Sequence, residues 1–142
     1  MKRIWAVVTA AGLLAVPATA EARTIDPAQF GLHVETLGAG VAPQIGVKAV
    51  RLWDTGARWD QIEPARGKYN WAPLDRAVDA AEAAGATEIL YVLGSTPSWA
   101  ASTFSDVDLY GSGTASFPKK SKYYVSFARA VAKRYKGRIT SY

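Results

Sequence analysis

The sequence predicts an α/β chain in which parallel strands alternate with helices. Ala49 to Trp53 and Glu88 to Leu93 are short runs, apolar almost throughout, as expected of strands covered on both faces. Ala72 to Ala84 and Lys119 to Lys136 carry apolar residues at helical spacing. The two kinds of segment alternate, which is the order of a parallel sheet with helices packed on it and crossovers of one hand. The helical segments exclude an all-β sandwich.

The chain opens on a segment with the features of an export signal. Lys2 and Arg3 precede an apolar run from Ile4 to Val16, too short to span a bilayer as a stable helix. Pro17 ends that run. Ala18-Thr19-Ala20 and Ala20-Glu21-Ala22 both fit the small-x-small cleavage pattern, so cleavage is expected near Ala20 or Ala22. A buried N-terminal helix is the alternative, and the run lacks the polar face it would need. The expectation is a signal over residues 1–22, one small domain over 23–142, and a secreted or periplasmic destination. No later segment is long and apolar enough to cross a membrane. With 0 cysteines, this domain has no disulfides and depends on burial for its stability.

Gln29 to Val34 is a short strand candidate, and Val41 to Ile45 a brief helix ahead of Gly46. Ala49 to Trp53 follows as the second strand. In the helix from Ala72 to Ala84, Pro73 fits the first turn, where its missing N–H costs nothing. Leu74, Ala77, Val78 and Ala81 form its inward stripe, with Asp75, Arg76, Asp79 and Glu82 outside. Gly85 suits the left-handed position that ends a helix. After the third strand, Gly94 to Pro118 is a long Ser-, Thr- and Gly-rich loop, of a length that is usually functional or disordered. Tyr124, Phe127, Ala128 and Val131 make the inward stripe of the last helix, and Gly137 closes it. Arg138 to Tyr142 has the pattern of the start of a fourth strand.

The charge balance is 17 Lys+Arg against 12 Asp+Glu, net +5. Lys119 to Arg138 contains no acid. A nucleic-acid partner would call for basic residues interleaved with exposed aromatics. Here the aromatics form the inward stripe, so the bases read as a solvated helix face with cations suited to its C-terminus. No nucleic-acid partner is expected.

The most telling stretch is Val47 to Trp71, VKAVRLWDTGARWDQIEPARGKYNW. An apolar strand carries Arg51 and opens into a tryptophan-rich loop. Together with Gly46-Val47, Val50-Arg51-Leu52-Trp53, Trp59, Ile62-Glu63-Pro64, Gly67, Tyr69-Asn70-Trp71, Leu74-Asp75, Gly85, Thr96-Pro97-Ser98-Trp99-Ala100 and Arg134 to Ile139, it resembles the N-terminal part of a clan A glycoside hydrolase. The likeness is to the β-xylosidase type of family 39 and its relatives, and it runs from Phe30 to Tyr142.

The resemblance implies a (β/α)8 TIM barrel, of which 23–142 holds about three βα units and the start of strand four. A complete barrel takes about 250 residues. It also implies retaining hydrolysis by two glutamates, one in a Trp-Asn-Glu after the fourth strand and one after the seventh. Retention needs the two carboxyls ~5 Å apart. Neither glutamate has a counterpart here, so catalytic residues are expected to be absent. The chain is read as an N-terminal fragment of a secreted glycoside hydrolase, inactive by itself. The alternative is a secreted, non-catalytic carbohydrate-binding or interaction module. A carbohydrate is the expected partner, with no metal or organic cofactor.

Four residues are the candidate substrate contacts. Arg51 resembles the family's second-strand arginine, near the nucleophile; an arginine in an apolar strand is costly unless paired, and its bland alternative is snorkelling from a strand end. His33 and Trp53 fall at C-terminal strand ends, the active-site face of such barrels; His33 reads equally well as an ordinary polar strand terminus. Trp99 suits stacking on a sugar ring, against the alternative of a packed loop tryptophan. Trp59, Glu63, Tyr69 and Trp71 read as a loop packed outside the barrel, with Glu63 tying it by hydrogen bonds. Asp106 and Asp108 supply too few ligands for calcium. Asp54-Thr55-Gly56 matches the aspartic-protease triplet, but that chemistry needs two aspartates sharing a proton and an all-β chain. An open sheet is expected to leave Ile89, Tyr91 and Phe127 partly uncovered and the product prone to self-association.

Overall fold

The computed structural model describes residues 25–42 and 48–142. The export segment 1–22, Gly46-Val47 and most of the expected helix from Val41 to Ile45 lie outside the described residues. Three strands form one parallel sheet in sequence order: β1 (Gly31–His33), β2 (Ala49–Leu52) and β3 (Glu88–Tyr91). The register aligns Leu32 with Val50 and Val50 with Ile89, and it aligns His33 with Arg51 and Arg51 with Leu90. Ser141 bridges Leu90 in parallel, and Tyr91 donates its amide to the Ser141 carbonyl at 3.0 Å, so the chain after Gly137 pairs as a fourth strand would. This small α/β unit is compatible with part of a TIM barrel.

Alternation along each strand divides the sheet into two faces. Val50, Leu52, Ile89 and Tyr91 point into the core with Phe127, Val131 and Tyr135. Ile89 and Tyr91 are each 1% exposed and Phe127 is 0% exposed. The expectation that these three are left uncovered is therefore corrected: they face the helices. Arg51 and Leu90 lie on the opposite face, and both are exposed.

A 3-10 turn at Glu35–Ala39, unforeseen in the sequence, buries Leu37 completely against this core. Among the described residues the α-helices are α1 (Trp59–Ile62), α2 (Ala72–Ala83) and α3 (Ser121–Arg134). In α2 the whole predicted stripe of Leu74, Ala77, Val78 and Ala81 is 0% exposed. Burying Leu74 and Val78 contributes about 1.5–3 kcal/mol each. Gly85, at φ 85°, donates to Glu82 while Ala86 donates to Ala81, the paired bonds of a Schellman end. The third strand stops at Tyr91, short of Leu93, although Val92 still donates its amide to the Leu52 carbonyl at 3.1 Å. Helix α3 starts two residues later than expected. Pro118 is bridged to Ala101, and Lys119 donates to the Ala100 carbonyl at 2.8 Å, so both belong to the loop.

The basic end of α3 is not merely solvated. Arg134 grips Asp75 with two bonds of 3.0 and 2.6 Å, and the Tyr135 hydroxyl donates to the same carboxylate at 2.7 Å. Arg138 reaches Asp79 and Glu82. These pairs tie α2 to the end of α3. Arg134's hydrogen bonds hold Asp75 below its ordinary value of 3.8, against an opposing push from burial. A depressed carboxylate stabilises the fold above its unfolded pKa, and that stability is lost as pH falls through the folded value. The pair is partly exposed, so screening keeps its worth small. Asp75→Asn is expected to lose about 0.5–1 kcal/mol at neutral pH. That deficit should shrink at acid pH, as the pH falls through the folded value and protonation leaves both forms uncharged at this position. Urea unfolding at the two pH values is the check, and an unchanged deficit in acid would refute the assignment.

Candidate functional site

The strands are parallel, so the loops that follow them gather at one end of the sheet. His33 ends β1, Trp53 and Asp54 follow β2, and Gly94-Ser95 follow β3. Asp54 is where these loops meet. Trp53 donates its indole N–H to the Tyr110 hydroxyl at 2.9 Å, and that hydroxyl donates on to Asp54 Oδ2 at 3.1 Å. The Trp53 and Tyr110 rings meet edge to face, with centroids 5.6 Å apart. Arg58 lies 4.2 Å over the Tyr110 ring, and its guanidinium comes within 3.8 Å of Asp54 Oδ1. It is held there by two bonds to Asp60 of 3.2 and 3.3 Å.

His33 Nδ1 lies 3.1 Å from the Arg51 carbonyl. A carbonyl only accepts, so Nδ1 carries the proton and Nε2 is left as the acceptor of the neutral ring. Nε2 sits 3.9 Å from Asp54 Oδ2, a contact that becomes attractive only when the ring is protonated.

The structure brings His33 and Trp53 together through Asp54 and Tyr110. Arg51 lies beside His33 in the sheet register, but its side chain is exposed on the face away from the helices. Among the described residues its guanidinium forms no ion pair. The expectation of an arginine buried within an apolar strand is thus corrected. The strand reads as apolar because Val50 and Leu52 face the core, while Arg51 alternates outward.

Trp99 is not part of this cluster. Its indole N–H donates to the Glu63 carbonyl at 2.8 Å, and its ring packs against Trp59 and Tyr123 with centroids 6.0 and 5.3 Å away. The loop it touches is packed as expected. Glu63 is buried and accepts from the Trp59 indole and the Gly67 amide, both at 2.7 Å. Trp59 stacks on Phe127, and Tyr69 stacks on Trp71. Burial, reinforced by the charge of Glu63 nearby, pushes the Tyr69 phenol up.

Two cavities flank Tyr110. One, of about 310 Å³, is lined by Trp53, Ser95, Leu109, Tyr110, Thr114 and Ala115. The other, of about 300 Å³, lies between Asp60, Pro64, Pro97, Ser98 and the loop around Tyr110. Gly94 makes the first possible. A Cβ there would lie 2.7 Å from Cζ3 of the Trp53 ring. Sequence reasoning missed Arg58, Ser95 and Tyr110, and it weighed Asp54 only as a protease residue. The length of the Gly94–Pro118 loop was the one available signal, and it pointed to the segment rather than to Tyr110. Asp108 uses its carboxylate to accept the Gly113 amide at 2.7 Å, folding the same loop. Among the described residues no three His, Cys, Asp or Glu side chains cluster as metal ligands would.

This arrangement offers aromatic surface, a carboxylate and hydroxyls at the C-terminal end of a parallel sheet, the active-site end of a barrel. The profile of glycoside hydrolase family 42, described as beta-galactosidase, matches residues 39–141. The chain belongs to glycoside hydrolase family 42. No curated protein and no solved structure matches it significantly. Membership in family 42 supports the clan A resemblance but not the finer likeness to the family 39 xylosidase type. It points to a carbohydrate substrate. No described helix of this family 42 chain is long and apolar enough to cross a membrane.

Proposed function

We propose that this chain is the N-terminal part of a secreted, retaining glycosidase and supplies one wall of its sugar site. The observation that carries the reading is the convergence of His33, Trp53, Asp54 and Tyr110 at the C-terminal strand ends of a family 42 chain. β-Galactosides are the first substrates to test, after the name the family carries; the xylosides of the family 39 likeness come second. In this reading Arg51 and His33 approach the reacting end of the sugar, and Trp53 borders its ring. Trp99 takes the place of a support behind the loop. No metal or organic cofactor takes part, because two carboxyls suffice for retaining hydrolysis.

The described glutamates do not make such a pair. Glu63 is consumed by Trp59 and Gly67, and Glu82 by Arg138. Glu88 begins β3, at the end of the sheet away from Trp53, and Glu35 follows β1 alone. The 142-residue polypeptide is therefore expected to hydrolyse nothing above background. The check is an assay on aryl β-galactoside, xyloside, glucoside, arabinoside and mannoside, using protein recovered from the periplasm. Its intact mass also reports cleavage after Ala20 or Ala22, and an uncleaved product would remove the export reading. Turnover that survives purification and disappears in Arg51→Ala would overturn the inactivity. Saturable sugar binding without turnover, by a chain that folds alone, would instead favour the non-catalytic module. The full burial of Ile89, Tyr91 and Phe127 speaks for that second reading.

A further inference from the structure

We propose that Ser95 is a specificity-determining residue that donates its hydroxyl to a pyranose hydroxyl in the cavity beside Trp53. The proposal rests on the reading of this face as a glycoside site. Ser95 has φ 68°, the one non-glycine residue with positive φ among the described residues. A residue with a Cβ is strained in the left-handed conformation, and such strain persists only where the surroundings impose it. Here they do. Trp59 donates its amide to the Gly94 carbonyl at 2.9 Å, and Asp60 donates to the Ser95 carbonyl at 3.0 Å. On the other side, Thr96 donates its amide to Thr114 at 2.9 Å and its hydroxyl to Ser116 at 2.6 Å. The backbone is pinned before and after the strained residue.

A glycine would occupy this position without strain. What serine adds is a hydroxyl, and that hydroxyl finds no use within the fold. Ser95 Oγ is buried and has no hydrogen-bond partner. A buried polar atom left unpaired is costly, and in a native fold it calls for an explanation. The other polar groups around the cavity are occupied. The Trp53 indole N–H is taken by Tyr110, the Tyr110 proton by Asp54, and the Thr114 hydroxyl donates to Gly111 at 2.7 Å. Leu109 and Ala115 complete apolar walls. The cavity thus combines aromatic and aliphatic surface with a lining serine whose hydroxyl is unpaired within the fold. Its volume of about 310 Å³ is at the small end of ligand pockets. A pyranose matches that chemistry, with C–H groups for the apolar walls and a hydroxyl for Ser95. A purely apolar ligand would leave Ser95 unpaired, and an ion would lack a counter-charge among the lining side chains.

The test titrates methyl β-galactoside and methyl β-xyloside into the 142-residue chain, with its tryptophan indoles labelled for NMR. Saturable movement of the Trp53 indole signal is expected with at least one of the two. Ser95→Ala removes the hydroxyl and keeps the strain, whereas Ser95→Gly removes both. Both variants should bind roughly three- to tenfold more weakly, the worth of one hydrogen bond. Ser95→Gly alone should raise the melting temperature, since it relieves the backbone. Unchanged affinity in both variants would overturn the role of Ser95 and leave the glycoside reading standing. Weakening in Ser95→Ala with full affinity in Ser95→Gly would assign the effect to the backbone and also overturn it. Failure of the wild-type chain to respond to either sugar would remove the glycoside reading of this face, and the proposal with it.

Discussion

Gly38→Ala is expected to cost this fold more than about 3 kcal/mol, beyond the usual range of a single overpacked methyl. The added Cβ would lie 2.0 Å from the Thr55 carbonyl oxygen, 2.6 Å from its carbon and 2.9 Å from its Cα. All three are backbone atoms, so no side-chain rotation relieves the clash. Neither partner is free to retreat. Leu37, beside Gly38, is wholly buried, and the Gly38 carbonyl accepts from Arg76 of α2 at 3.2 Å. Thr55 is only 3% exposed and directly follows Asp54. The same substitution therefore threatens the site, because pushing Thr55 away drags the carboxylate at its centre. Gly67→Ala is the control. Nothing lies within 4 Å of its Cβ, and only the φ of 73° opposes it, worth about 1–2 kcal/mol. In a domain this small, 1 kcal/mol moves the melting point by about 4–8 °C. Gly38→Ala should thus melt more than ~10 °C below the wild type, and further below it than Gly67→Ala. A melting point within a few degrees of the wild type would mean that the turn and the β2 loop do not meet as described.

How much of this was legible in the sequence depends on how far apart the interacting residues lie. The stripe of α2 is a local pattern of helical period, and all four predicted positions are buried. Its glycine end is equally local, since Gly85 sits one residue beyond the cap. Glu63 was readable because its partners Trp59 and Gly67 are each four residues away. The site was less readable because Trp53 and Tyr110 are 57 residues apart and joined by a loop without periodicity. Arg51 was misread for a related reason. A short apolar run does not say which side of the sheet is covered, and only the helices lying on Val50 and Leu52 decide it. Ser95 left no trace, because strain at φ belongs to the path of the backbone and serine is common in loops.

The exposed position of Arg51 leads to the second large effect. The chain, joined to the C-terminal half of a family 42 relative, is expected to close a barrel and hydrolyse β-galactosides. Arg51 then stands on the inner face of the sheet, beside His33 in register and free of any ion pair among the described residues. A cation there lowers the pKa of a facing carboxylate and keeps it ionised as a nucleophile. Arg51→Ala should cut turnover by about 10²–10³-fold, the scale of losing one preorganised electrostatic group. It should leave the protein folded, because Arg51 points away from the core that Val50 and Leu52 build against the helices. Glu63→Gln should behave in the opposite way. It replaces a buried carboxylate that accepts two 2.7 Å bonds, and charge-assisted bonds are worth about 1.5–3 kcal/mol each. The substituted amide keeps an acceptor for one of them, so a loss of about 2 kcal/mol in stability is expected, with turnover per folded molecule intact. Turnover and thermal unfolding of both variants, measured in the joined protein, decide the matter. If Glu63→Gln abolishes turnover in a folded protein while Arg51→Ala spares it, the reacting end of the sugar lies at the tryptophan loop and not at the strand ends.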